Sequence, residues 1–171
     1  MYYIPYYYPY YTVPTGYYDS RQYIQYAYPY DPRSKQGGQD YGPSPYVVNI
    51  NKAAKQNQNY RTTIWTGNHL QVTLMSINPG EDIGLEIHPT VDQFLRIEQG
   101  QGIVKMGKVK NQLNFQRKVF DDSAIMVPAG TWHNVVNTGN EPLKLYSIYA
   151  PPQHAKGTVH KTKADAMKEG H

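Results

Sequence analysis

The chain has 171 residues, enough for one domain with an appendage, and no cysteine, which excludes disulfides and thiolate metal sites. Its formal net charge of +4 is spread along the sequence, and no basic–aromatic cluster of the kind that stacks bases is present, so nucleic acid is not an expected partner. No apolar run approaches the ~20 residues of a membrane helix, and the N-terminus lacks the basic and apolar regions of a signal peptide, which points to the cytoplasm and away from membranes.

Residues 1–45 hold fourteen of the eighteen tyrosines, with prolines at 5, 9, 14, 29, 32, 43 and 45. Each proline fixes φ and removes a backbone donor, so neither helix nor sheet is expected. The segment reads as a disordered, low-complexity extension grading into Lys35-Gln36-Gly37-Gly38-Gln39. Tyrosine joins an apolar face to a polar hydroxyl, so the segment is either a spacer or an adhesion element.

A globular composition runs over 46–152. Tyr46-Val47-Val48-Asn49-Ile50 is a strand candidate, residues 51–60 read as polar surface, and Arg61 to Thr66 reads as a second strand. Leu70 to Ile77 alternates apolar and polar with period two, the pattern of a half-buried strand, and Asn78-Pro79-Gly80 stops it. Gly100-Gln101-Gly102 and Thr138 to Pro142 are turn signals. No amphipathic helix is expected between 45 and 152. Short strands at this spacing give an all-β class, an antiparallel sandwich or barrel. Residues 153–171 form a basic tail, and Thr162-Lys163-Ala164-Asp165 has the form of a helix start.

Two stretches carry the chemistry, Pro79 to Gly100 and Pro128 to Asn137. Side chains two apart on a strand share a face, so Glu86 and His88 project together with Ile87 opposite. After the Pro89–Asp92 turn, Gln93 shares a face with Leu95 and Ile97, while Phe94, Arg96 and Glu98 take the other. His133 follows the Pro128-Ala129-Gly130 turn and faces with Val135 and Asn137. A lone buried His is usually core, but a buried carboxylate needs a partner or a cation. Glu86, His88, Gln93 and His133 are therefore the candidate metal ligands. Imidazole with carboxylate suits a divalent transition ion: Mn, Fe, Co, Ni or Zn. One anionic ligand leaves net positive charge, which favours an anionic small molecule. His154 and His160 stand in a Pro-flanked tail that could fold over the barrel mouth, whereas Tyr146 and Tyr149 lie on opposite faces of the last strand.

These residues give a resemblance. From about Tyr46 to Lys163 the chain resembles the cupin superfamily of jelly-roll β-barrels, and most closely the small bacterial single-domain cupins often labelled mannose-6-phosphate isomerase-like. Gly80 leads the first motif, Glu86 and His88 take its two His positions, Gln93 its Glu position, and Gly100 closes it. In the second motif Pro128, Gly130, His133 and Asn137 match, while Asp122 stands at the leading Gly position. The resemblance implies a cupin barrel whose metal set has kept its carboxylate but moved it, acting on a small oxygenated metabolite such as a sugar or sugar acid by isomerase- or dioxygenase-like chemistry. It also implies a homodimer. A contrasting expectation is a non-catalytic cupin scaffold whose residues 1–45 attach it to surface-layer or coat proteins, as in a spore coat.

Overall fold

The structure, a computed structural model, describes residues 39–168. The Tyr/Pro-rich extension assigned to 1–45 therefore lies outside the described residues as far as residue 38. The strands are β1 (Arg61–Thr66), β2 (Gln71–Ile77), β3 (Asp92–Gln99), β4 (Gly102–Gly107), β5 (Phe115–Val119), β6 (Ala124–Val127), β7 (Trp132–Asn137), β8 (Leu143–Ala150) and β9 (Val159–His160). They form two antiparallel sheets, ordered β6-β3-β8-β2-β1-β9 and β5-β4-β7. The antiparallel all-β architecture expected from the turn-separated strands is found, in the jelly-roll form that the resemblance implied.

Alternation sets the inner faces. Met75 and Ile77 of β2, Leu95 and Ile97 of β3, Val135 of β7 and Leu145 of β8 meet in one buried cluster between the sheets. Each such side chain contributes about 1.5–3 kcal/mol through burial. The apolar cluster fills one part of the interior. Polar side chains fill the rest: Arg61, Thr63, Gln71, Thr73, Gln93 and Ser147 are buried on the same sheet.

One difference from the sequence reading lies before β1. The stretch read as a strand at 46–50 followed by polar surface instead holds α1 (Ile50–Gln56). Asn49 caps it, its side chain accepting the Lys52 N–H at 2.9 Å. Ile50, Ala53 and Ala54 pack on Ile64 and Leu74, on the outer face of the six-stranded sheet. Seven residues are too few to display a helical period in sequence, so tertiary burial decides the conformation. The helix also explains Glu98, which takes the outward face as expected yet is buried. Asn51 of α1 donates to Glu98 Oε2 at 2.5 Å, and Arg96 pairs with Oε1.

Both ends of the described chain join the barrel at β1. Tyr41 N–H donates to the Ile64 carbonyl, and Asp40 accepts from the Thr66 hydroxyl. On the other side β9 pairs with β1, placing His160 opposite Arg61. The short helix α2 (Lys163–Lys168) follows, with Thr162 and Asp165 hydrogen-bonded reciprocally at its start. No helix among the described residues is long and apolar enough to cross a membrane.

Candidate metal centre

The segment 81–88 is not a regular strand. Gly84 has φ +85°, a left-handed conformation, and its N–H donates to Asp82 Oδ1, which breaks the extension. On either side the segment still runs along β7: Ile83 N–H donates to the Val135 carbonyl, and Glu86 and His133 exchange both backbone hydrogen bonds, at 3.1 and 3.0 Å. Glu86 and His133 are thus direct cross-strand partners, whose side chains are close neighbours on one face. Beyond Glu86, Ile87 turns away and His88 returns to the interior, as the two-residue period requires. The Pro128–Gly130 turn is tied to the same segment, since Gly130, at φ +69°, donates its N–H to the His88 carbonyl at 2.8 Å. The backbone therefore stitches the two motif halves together before any side chain is considered.

Three side chains converge. His133 Nε2 lies 3.2 Å and His88 Nε2 3.4 Å from Glu86 Oε1, with all three groups buried. His133 Nδ1 sits 2.9 Å from the Thr131 carbonyl. A carbonyl only accepts, so Nδ1 carries a proton, and Nε2 is the ring nitrogen turned towards Glu86. Two imidazole nitrogens and a carboxylate oxygen thus lie within 4.8 Å of one another, a group that could hold a metal ion.

Gln93, on β3, is brought to the same interior and is 3% exposed. Its Nε2 donates to Ser147 Oγ at 3.0 Å, which leaves the amide oxygen as the free end. Glu86 Oε1, His88 Nε2, His133 Nε2 and Gln93 Oε1 are all buried without a hydrogen-bond partner. These atoms belong to the four residues expected from sequence as candidate ligands. Asn137, by contrast, is committed elsewhere: its amide donates to the Ile77 and Glu141 carbonyls and accepts from Gly139 N–H. It is a clamp on the turn after β7. Asp122, at the motif position usually held by Gly, has φ +67° and so keeps the backbone shape glycine would give.

The electrostatics favour an ionised Glu86. Burial pushes its carboxyl up, but the two imidazoles and the Arg61 charge outweigh this and hold it well below the usual carboxylate range. Arg61 is 0% exposed and projects inward from β1. Tyr149, the inward tyrosine of β8, meets the His88 ring edge-on at 5.7 Å, and burial raises its hydroxyl pKa. His154 in turn stands edge-on to Tyr149 at 5.0 Å. The His154 backbone is held by Gln71, whose amide binds its N–H at 2.9 Å and its carbonyl at 2.8 Å. Sequence reading did not place Arg61 and Thr63 in the interior, because three consecutive polar residues, Arg61-Thr62-Thr63, do not mark which face of the strand is buried.

The fold agrees with the relatives. The family model for the cupin domain matches residues 73–149. The uncharacterized protein YrkC of Bacillus subtilis (strain 168) is 77% identical over 128 residues, which are 75% of this chain and 69% of YrkC. Uncharacterized protein L612 of Acanthamoeba polyphaga mimivirus is 44% identical over 115 residues, 67% of this chain and 70% of that protein. The crystal structure of BH2720 from Bacillus halodurans superposes with a TM-score of 0.75 at 67% identity, covering 75% of this chain and 98% of that one. The chain belongs to the cupin superfamily.

Proposed function

We propose that the barrel binds a divalent transition metal through Glu86, His88 and His133, with Gln93 Oε1 as a fourth ligand, and acts on a small oxygenated metabolite. The observation that carries this reading is the set of four buried nitrogen and oxygen atoms without hydrogen-bond partners. Leaving such atoms unsatisfied costs about 1–3 kcal/mol each, and one cation would satisfy those of Glu86, His88 and His133, which lie within 4.8 Å of one another. When bound, the ion supplies Lewis-acid polarisation of a carbonyl, or dioxygen chemistry if it is iron. The chain's own part is positional. The Thr131 carbonyl fixes the His133 tautomer, Ser147 holds Gln93 with its oxygen free, and the Glu86–His133 ladder pair sets the bite. No thiolate is present, so the donor set is nitrogen and oxygen, and Mn, Fe, Co, Ni and Zn all fit it.

The test is elemental analysis of untagged protein purified without added metal or chelator, beside the His88→Ala/His133→Ala double variant. Near-stoichiometric metal in the first and none in the second is the expected result. Equal metal content in both would refute the assignment. So would a wild-type protein that holds none and takes up none on titration.

A further inference from the structure

The positive excess, taken as spread when the sequence is read end to end, is concentrated once it is placed on the fold. No acidic residue lies between Glu98 and Asp121, and that stretch holds Lys105, Lys108, Lys110, Arg117 and Lys118, whereas the rest of the chain carries twelve basic and thirteen acidic residues. The stretch forms β4, a turn closed by Val109 and Gln112, and β5. Val104 points inward, so Ile103 and Lys105 take the outer face, where they pair with Lys118 and Gln116. Lys105 and Lys118 are therefore diagonal neighbours on that face, ~7–8 Å apart along the backbone. Among the described residues, none of the five basic side chains meets a carboxylate. Lys108 donates to Thr131 Oγ1 at 3.3 Å, Lys110 lies 5.3 Å from the Trp132 ring, and Arg117 lies 4.7 Å from the Phe115 ring.

β5 is also an open edge. The smaller sheet runs β5-β4-β7, and segment 81–88 lies along the far side of β7, which leaves β5 paired with β4 alone. Phe115 to Lys118 are exposed. An edge strand presents a row of unpaired N–H and C=O groups, and charges on it ordinarily keep other strands away. Arg117 and Lys118 would suffice for that. Edge protection does not account for the three lysines on β4 and in the turn, nor for Phe115, left 44% exposed on the strand itself. A field of one sign with no acid interspersed draws in an anionic partner.

The geometry selects among anionic partners. Phe115 and Trp132 each hold a cation of this chain over the ring, where a nucleic acid would stack a base. The exposed Phe115 and Phe120 stand at opposite ends of β5, roughly 17 Å apart, and make no common face to enter a bilayer. A second copy's β5 brings the same charges and is repelled. An extended polypeptide fits all the features together. Its backbone meets the open edge, and its side chains alternate, one set beside Lys105 and Lys118 and the other beside Phe115.

We propose that β5 takes an extended, acidic segment of a partner protein as an added strand, with carboxylates on the face of Lys105 and Lys118 and apolar residues on the face of Phe115. This docking needs no metal in the barrel.

The probe is a fluorescein-labelled, seven-residue peptide alternating glutamate and valine, titrated into the full chain at low salt and followed by anisotropy. One altered peptide replaces the glutamates by glutamines. A second carries N-methyl groups on two adjacent central residues, which keeps every charge and blocks backbone pairing along both edges. The parent peptide is expected to bind at least about tenfold more tightly than either, a difference of about 1.4 kcal/mol, and to weaken at about 1 M salt, where the screening length falls to ~3 Å. Lys105→Gln/Lys118→Gln is expected to weaken it about tenfold and to melt with the wild type, since neither side chain belongs to the core. Equal binding of the N-methylated peptide would mean attraction without an added strand and overturn the proposal. Equal binding of the glutamine peptide, or unchanged affinity in the lysine variant, would overturn the charge pairing. Heptathymidylate or phosphatidylglycerol vesicles that displaced the probe at lower phosphate concentration than unlabelled peptide does would assign the surface to nucleic acid or lipid instead. A parent peptide that did not bind would leave the charges as edge protection alone and overturn the docking.

Discussion

Asn137 separates scaffold from site most cleanly. Its side chain makes three hydrogen bonds, to the Ile77 carbonyl at 2.9 Å, the Glu141 carbonyl at 2.8 Å and from the Gly139 N–H at 2.9 Å. The residue is 1% exposed, so water does not replace the lost amide in Asn137→Ala. Each bond is worth about 1 kcal/mol net, so the variant is expected to lose about 3 kcal/mol. Unfolding entropy of about 2.1 cal/mol/K per residue, over the roughly 130 described residues, turns this into a fall of about 10 °C in melting temperature. Metal content per folded molecule is expected to stay at the wild-type level, because the amide is directed at Ile77 and Glu141 and away from the ligand atoms. Scanning calorimetry with elemental analysis of the same sample reads both quantities. A variant that melted with the wild type but had lost its metal would refute this division of labour.

Three further outcomes are expected. At about 100 times its dissociation constant, a bound divalent ion adds about 2.7 kcal/mol, so metal should raise the wild-type melting temperature by roughly 10 °C, chelator should reverse it, and His88→Ala/His133→Ala should show neither effect. Asp82 pairs with Lys163 of α2 at 2.5 Å; burial alone would raise its carboxyl, but Lys163 and the Gly84 N–H hold it below the ordinary Asp range. A depressed folded-state pKa gives stability that is complete above the unfolded value of about 3.9 and lost as pH falls through the folded one. Asp82→Asn should therefore cost about 1 kcal/mol near neutral pH, and denaturant midpoints of the two proteins should converge as the pH drops below about 4. At Asp122, φ +67° makes a β-branched side chain costly: Asp122→Val should lose about 1–2 kcal/mol, whereas Asp122→Gly should stay within about 0.5 kcal/mol of wild type, measured by the same denaturation.

The four interior acceptors were legible because each lies on a short extended segment where the two-residue period is reliable, and because tight turns at Pro89 and Pro128–Gly130 frame them. What failed was anything decided by distant cover. Glu98 reads as solvent-facing from β3 alone, and only α1, nearly fifty residues earlier, buries it. That helix was itself hidden, since Ile50, Ala53 and Ala54 make too short a stripe to outweigh the β-branched run before them. Arg61 and Thr63 misled for the opposite reason. The stretch was read correctly as a strand, but in this barrel Arg61 and Thr63 point inward, and local pattern does not say which side of a sheet holds the water.

The Glu86–His133 pairing bears on kinetics. Segment 81–88 lies at the open edge of the smaller sheet, held to β7 by a broken run of backbone hydrogen bonds. Two of the three converging side chains, Glu86 and His88, ride on that edge, and His133 stands on β7. An ion gripped from both sides would leave only when the edge peels away, so its dwell time would follow local unfolding rather than ligand exchange at the metal. Purified protein would then report which ions were present as the chain folded, and the site's own preference would emerge only after refolding in a defined mixture of metals.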